Sequence, residues 1–183
     1  MRYSHIKSQA QYVNSKRNII LRQHFAKKFS DVLQTGCLIL NFDETALQSS
    51  DNRAKGWVNK HASAGMVYRR EYTGLTLLTV ISNDGKVFAS MLRGSHNVAT
   101  FCIFLCKLTK KLDETYGQRW RRGVLLLDNA TLHKHQMAIT LATMLRINLF
   151  FTAPASYQLV PIERYFAILK QERFTYGQTT PSR

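Results

Sequence analysis

The sequence predicts one α/β domain built on a mixed central sheet flanked by helices, and three observations carry that expectation. Two apolar runs, CLILNFDE and GVLLLDNA, each stop abruptly at an acid, the pattern of strands buried on both faces. A turn at Asn83-Asp84-Gly85 separates two β-rich segments, which signals a hairpin. Apolar residues at three- and four-residue spacings around these runs mark helices. With 183 residues, 45% of them hydrophobic, the chain is long enough for one core of ordinary size.

Residues 1–30 are the most lopsided segment in charge, with Arg2, Lys7, Lys16, Arg17, Arg22, Lys27 and Lys28 and no acid. Ile19, Ile20, Phe25 and Phe29 recur there near helical spacing, which predicts a basic amphipathic helix from about Asn14 to Ser30 within a basic helical segment 1–34. It is either a solvated lead-in to the domain or a DNA-contacting surface. CLILNFDE follows as the first strand, with its acids expected at the strand's end. Residues 45–72 are polar with weak periodicity and read as an insertion or loop with room for one short strand. GLTLLTVIS and KVFASMLRGS then form the hairpin.

Asn97 opens a helix on which Val98, Phe101, Cys102, Leu105, Leu108 and Leu112 form the buried stripe, closing near Gly117. After the second buried strand, a third helix is predicted from about Leu132 to Leu145, then a short strand at INLFF and a loop at Pro154. Pro161 fits a first helical position, where its missing N–H is harmless, with Ile162, Tyr165, Phe166 and Leu169 as the apolar stripe behind it. The resulting order of strand, hairpin, helix, strand, helix, strand, helix is that of a layered α/β domain, whose ligands gather at the carboxyl ends of parallel strands.

Lysine and arginine total 26 against 11 acids, a formal charge of +15, so the expected partner is a polyanion, most often nucleic acid. Only 3 prolines and 9 glycines, with 11% aromatic residues, exclude a disordered or collagen-like chain. Cys37, Cys102 and Cys106 contain no C-x-x-C pair, so neither a disulfide framework nor a zinc ribbon is indicated, and a reducing compartment is expected. Cys102 and Cys106, four apart on one helix, read as core residues rather than ligands. No apolar stretch reaches the roughly 18 to 20 residues of a membrane span. The start MRYSHIKSQAQYVNSKR lacks the apolar stretch of a secretory signal, so a soluble intracellular protein is expected.

Asp43 and Asp128 close the two most apolar runs, where strand ends tend to hold catalytic groups. Glu163 falls in the first turn of the helix behind Pro161, and a helix N-terminus favours negative charge. Each has a structural reading alone: Asp43 capping a loop, Asp128 orienting Asn129, and Glu163 as a dipole-favoured helix start. Together, three carboxylates repel and raise one another's pKa unless cations neutralise them, which predicts bound metal. All-oxygen ligands suit Mg²⁺, with Mn²⁺ as a substitute. Two such ions about 4 Å apart activate a water or a 3′-hydroxyl and stabilise the leaving oxygen in an in-line attack on phosphate. Phosphodiester chemistry also matches the +15 charge.

Three blocks, NFDETALQ, LLLDNATLHKH and APASYQLVPIERYFAILK, resemble those of the mariner-type transposases and their bacterial insertion-sequence relatives. Lys55-Gly56-Trp57 resembles the family's Gly-Trp pair, and SNDGKVFASMLRGSHNVATFCIFLCKL its hairpin and first helix. The 34 residues between Asp128 and Glu163 match the separation typical of one large branch. The similarity runs from about Arg22 to Lys170; the family's asparagine before Pro161 is Val160 here, and its Tyr-Ser-Pro turn reads Pro154-Ala155-Ser156.

The resemblance implies a ribonuclease H-like catalytic domain over residues 35–175, followed by a tail 176–183, in which Asp43, Asp128 and Glu163 are the catalytic triad and hold two Mg²⁺ ions. It also implies cleavage at transposon ends, joining of the 3′-hydroxyl to target DNA, and a homodimer on DNA, in the nucleus of a eukaryote or the cytoplasm of a bacterium. Such transposases carry N-terminal helix-turn-helix domains, for which the residues before the first strand are too few. A catalytic domain, a fragment or a reduced descendant is therefore expected. Two other readings share the fold: a decayed or domesticated transposase that binds DNA without cutting, and a nuclease without strand transfer.

Glu44 adjoins Asp43, but strand alternation points it to the opposite face, which ranks Asp43 above it. His133 and His135 form an H-x-H pair without a Cys or carboxylate cluster to complete a tetrahedral zinc site. By family position His133 lies near the active site or DNA, and a structural role at a helix start is the alternative. Asn129 orients Asp128, contacts a phosphate, or serves a turn. Trp57 with Lys55 and Lys60 either stacks on a nucleic-acid strand or packs under a loop. Arg119, Arg121 and Arg122, interleaved with Trp120, are either a phosphate patch or solvated surface.

Overall fold

The computed structural model describes residues 11–47, 74–154, 156 and 161–169. The insertion beyond residue 47, with Lys55, Trp57 and Lys60, lies outside the described residues, as do residues 1–10 and the tail 176–183. In chain order the elements are α1 (Lys16–Gln34), β1 (Ile39–Leu47), β2 (Leu75–Ser82), β3 (Val87–Arg93), α2 (Val98–Tyr116), β4 (Val124–Leu127), α3 (Gln136–Met144), β5 (Leu149–Phe151) and α4 (Pro161–Leu169). The sheet runs β3-β2-β1-β4-β5. β1, β2 and β3 are antiparallel neighbours, while β1, β4 and β5 run parallel, so the sheet is mixed as predicted.

Strand alternation divides the core between the two faces of this sheet. Leu40 and Phe42 on β1, Leu78 and Val80 on β2, and Leu125 and Leu127 on β4 pack against Phe101, Phe104, Leu105, Leu108 and Leu112 of α2 and the small Ala138 and Ala142 of α3. The residues between them face the other way. There Leu126 and Phe150 meet Phe25 and Phe29 of α1, with Phe25 stacked on Phe29 at 5.5 Å. Leu77 and Ile81 meet Ile162 and Phe166 of α4. Thus α1 covers β4 and β5, α4 covers β1 and β2, and between them lie β1's Asn41, buried under the start of α4, and Asp43.

The turn chemistry is that of the sequence. Gly85 takes φ 87° in the hairpin turn, a left-handed conformation that favours glycine. Asn97 caps α2 reciprocally with Thr100: the Thr100 amide donates to Asn97 Oδ1, and the Asn97 amide donates to Thr100 Oγ1.

Five details differ from expectation. α1 runs a turn beyond Ser30, to Gln34. β1 continues past its acids to Leu47, paired with Leu75; what ends at Asn41 is its parallel pairing with β4. α3 starts at Gln136 because His133 folds back onto Asp128, in a turn where the His133 amide donates to Ala130 O at 3.1 Å. Cys102 is half-buried against the core whereas Cys106 is exposed, so the core reading fits the first alone. Trp120 and Arg121 are tied inward: Trp120 is buried and donates to Asp113, and Arg121 donates to Asp113 and to Leu145 O. That turn sits at the start of β4, opposite the end carrying Asp128; Trp120 and Arg121 brace it, while Arg119 and Arg122 are exposed. Among the described residues no helix is long and apolar enough to cross a membrane.

Gly123 shows how tightly β4 enters the sheet. A Cβ there would overlap the Leu38 carbonyl oxygen and meet Trp120 O at 2.9 Å, whereas one at Gly74 meets nothing within 4 Å. Gly123→Ala is expected to cost about 2 kcal/mol by urea denaturation, and Gly74→Ala to stay within about 0.5 kcal/mol of the parent.

Candidate active site

The parallel register pairs Asn41 with Leu126; two residues further along each chain, Asp43 stands beside Asp128. β4 ends at Leu127, so beyond it the sheet opens on that side of β1. Glu163 arrives on the first turn of α4. That turn is held by Ile162 and Phe166 in the core and by a hydrogen bond from the Ile162 amide to Asn41 Oδ1 at 3.1 Å, which satisfies one of the donors a helix start leaves orphaned. Asp43, Asp128 and Glu163 line one cleft of about 510 Å³, together with Asn129, Thr152 and Ser156. The structure therefore brings all three sequence-predicted acids together.

Burial pushes the Asp43 carboxyl up to about 7; the Glu44 amide, donating to Oδ1 at 2.8 Å, offsets part of this, and the charges of Glu44, Glu163 and Asp128 add to it. The repulsion expected among the acids is present, but burial is the larger cause. Asp128 behaves oppositely. Its hydrogen bond with His133 Nδ1 at 2.7 Å outweighs burial, and with the Ala130 amide at 2.9 Å it holds the carboxyl below the usual range. Burial works against charge on His133, yet its contacts with Asp128 and Glu44 prevail and raise its pKa to about 9. His133, 1% exposed, thus forms an ion pair with Asp128. Asn129 does not orient Asp128: its side-chain amide donates to Thr152 O and ties the turn after β4 to the end of β5.

Glu44 faces the opposite side of the sheet, as alternation requires. There Glu44 Oε2 pairs with His133 Nε2 at 3.5 Å, and one ligand atom each of Glu44, His96 and His133 lies within 4.8 Å of the others. Burial holds His96 below the ordinary histidine pKa. Sequence reasoning missed His96, whose partners come from distant elements and leave no linear spacing; its only signal is its place next to the cap Asn97. The H-x-H pairing is also undone, because His135 is the exposed N-cap of α3 while His133 points into the domain.

Residues 39–181 match the family described as DDE superfamily endonuclease. No curated protein matches the sequence. Among solved structures the chain is similar to Mos1 transposase in a pre-cleavage transpososome, with TM-score 0.73 and 19% identity over 93% of this chain and 53% of that one. It is similar too to the Mos1 paired-end complex with the left transposon end, at 0.71 and 19% over 93% and 53%. For the catalytic domain of Mos1 mariner transposase the values are 0.60 and 17% over 92% and 76%. The likeness is one of fold, the ribonuclease H-like fold, and the chain spans about half the length of the first two.

Two consequences are measurable. With its pKa raised to about 7, folded Asp43 keeps a proton that the unfolded chain releases from about pH 4 upward. That contribution to stability is full below pH 4 and is lost as pH rises through 7. In metal-free protein Asp43→Asn is therefore expected to be more stable than the parent at pH 8, with the gap closing towards pH 4 in urea titrations; a constant gap refutes it. Asn41→Ala, by uncapping α4, is expected to cost about 1 kcal/mol in the same assay.

Proposed function

This chain belongs to the DDE superfamily of endonucleases, and from that premise we propose that it is the catalytic core of a mariner-type DNA transposase. The observation that carries the reading is the meeting of Asp43, Asp128 and Glu163, from three separate elements, in one cleft. Oxygen-only donors, one of them a buried carboxyl raised towards neutrality beside other acids, fit a hard divalent cation such as Mg²⁺ or Mn²⁺. Mos1 transposase has been solved with Mg and with Mn, with transposon-end DNA and as a strand transfer complex, which supports divalent-cation use and a DNA substrate.

Two bound cations would supply a polarised phosphate and a more acidic attacking hydroxyl. Asp43 and Asp128, level on neighbouring chains, and Glu163 from α4 would hold them. His133 and the Ala130 amide both bond Oδ1 of Asp128, which fixes its rotamer and leaves the second oxygen for a ligand. The reaction proposed is hydrolysis of a strand at the transposon end, then attack of the freed 3′-hydroxyl on target DNA, with positioning and charge neutralisation lowering the barrier. The net charge of +15, with Lys16, Arg17, Lys27 and Lys28 exposed on α1, attracts the phosphate backbone. The paired-end complexes of Mos1 support a working unit of two copies.

The test is nicking of supercoiled plasmid by the purified chain in Mn²⁺. Asp128→Asn and EDTA are each expected to abolish nicking, with DNA binding by the mutant roughly intact; a mutant that still nicks overturns the assignment. A pre-cut 3′-hydroxyl end supplied with target DNA is expected to yield joined product. Hydrolysis without joining would instead mark a nuclease of the same fold, and salt-sensitive, metal-independent binding without nicking a DNA-binding module.

A further inference from the structure

On the α2 side of the sheet, behind the cleft, three polar atoms are buried: Glu44 Oε2 and His133 Nε2, which stand 3.5 Å apart as an ion pair, and His96 Nε2, which has no hydrogen-bond partner. They come from β1, the segment entering α2 and the turn after β4, and one ligand atom of each residue lies within 4.8 Å of the others. Buried polar atoms without partners are rare in folded proteins, and His96 Nε2 beside this pair leaves room for a ligand that bonds all three by taking the place of the His133 Nε2 proton.

The surrounding hydrogen bonds identify its chemistry. Thr100 Oγ1 donates its single proton to Asn97 O at 2.8 Å and accepts from the Asn97 amide at 2.9 Å. Its 2.9 Å contact with His96 Nδ1 therefore places the ring proton on Nδ1 and the lone pair on Nε2. His133 Nδ1 likewise donates to Asp128 Oδ1 at 2.7 Å. Both rings have Nδ1 tied to an oxygen, a hydroxyl for His96 and a carboxylate for His133. A carboxylate behind an imidazole, as at His133, is a usual support of a metal-binding histidine. Phe101 packs on the His133 ring at 4.8 Å between centroids and on the His96 ring at 5.9 Å, an apolar wall against water.

We propose that Glu44, His96 and His133 form a second cation site that takes Zn²⁺ or a similar borderline transition-metal ion. Two imidazoles and one carboxylate with an open fourth position match zinc, whereas Mg²⁺ prefers the oxygen-only cleft on the other face. The ion would stand within the domain and join β1, the start of α2 and the turn after β4. Through His133 it would fix Asp128 without touching DNA, which makes His133 a positioning residue.

Co²⁺ in excess Mg²⁺ is the probe. The purified full chain is expected to bind one equivalent with the intense visible bands of four- or five-coordinate Co²⁺. His96→Ala and Glu44→Gln are each expected to weaken that binding about tenfold or more, while Asp43→Asn, on the other face, keeps the bands. Weak octahedral-type absorption that Mg²⁺ removes, or equal binding by His96→Ala, overturns the proposal. Should either variant lose its circular dichroism signature, the parent chain decides by imidazole ¹⁵N resonances. Zn²⁺ is expected to shift Nε2 of two histidines, and an unmoved pair, or Nε2 of His133 keeping its proton, refutes the site. The plasmid assay judges the carboxylate cleft separately, so either reading can fail alone.

Discussion

Three residue pairs, Ile39 with Val124, Leu40 with Leu125 and Asn41 with Leu126, hold β1 parallel to β4 at the middle of the sheet. Because the two strands point the same way, the acids that close their apolar runs emerge at the same edge; an antiparallel pairing would have put them at opposite ends. β4 then stops while β1 runs on against β2 to Leu47. The backbone under Asp43 is thus anchored on one side, and the space where β4 would have continued is the cleft. The aliphatic residues Leu40, Leu125 and Leu127 serve the α2 core, and the same alternation that buries them turns Asn41 and Asp43 to the other face.

That alternation also explains how neighbouring acids lead different lives. Asp43 looks into the cleft, with burial holding its carboxyl near neutrality. Glu44, one residue on, looks towards His96 and His133. Asp128 connects the two sides, since its Oδ1 is bonded by His133. A chain with a formal charge of +15 concentrates its scarce acids here, against their mutual repulsion, and the apolar packing on both faces supplies the stability that this local arrangement lacks.

Much of the frame was legible in the sequence because it rests on local chemistry. Asn83-Asp84-Gly85 turns a hairpin, Asn97 and Gly117 bracket α2, and Pro161 opens α4 at the positions their backbone preferences dictate. The three acids were legible because each punctuates an apolar run or a helix start. What stayed hidden is set by long-range bonds. α3 begins four residues later than its periodicity suggests because His133 prefers a distant-face carboxylate pair to a helical turn. Trp120 and Arg121 look like a nucleic-acid surface until Asp113 and the end of α3 are seen to hold them. His96 has no linear relation to its partners, and only the fold supplies one.

The bond from Ile162 to Asn41 joins residues 121 positions apart in the chain. Non-local contacts of this kind are the slow steps of folding, since a long loop must close before they form. β1, the hairpin, α2 and β4 can assemble with Asp43 and Asp128 already adjacent while α4 is still being synthesised. A chain emerging from the ribosome therefore holds Asp43 and Asp128 without Glu163 only between residues 128 and 163 of its 183. The meeting of all three carboxylates is therefore an event of the last stretch of synthesis.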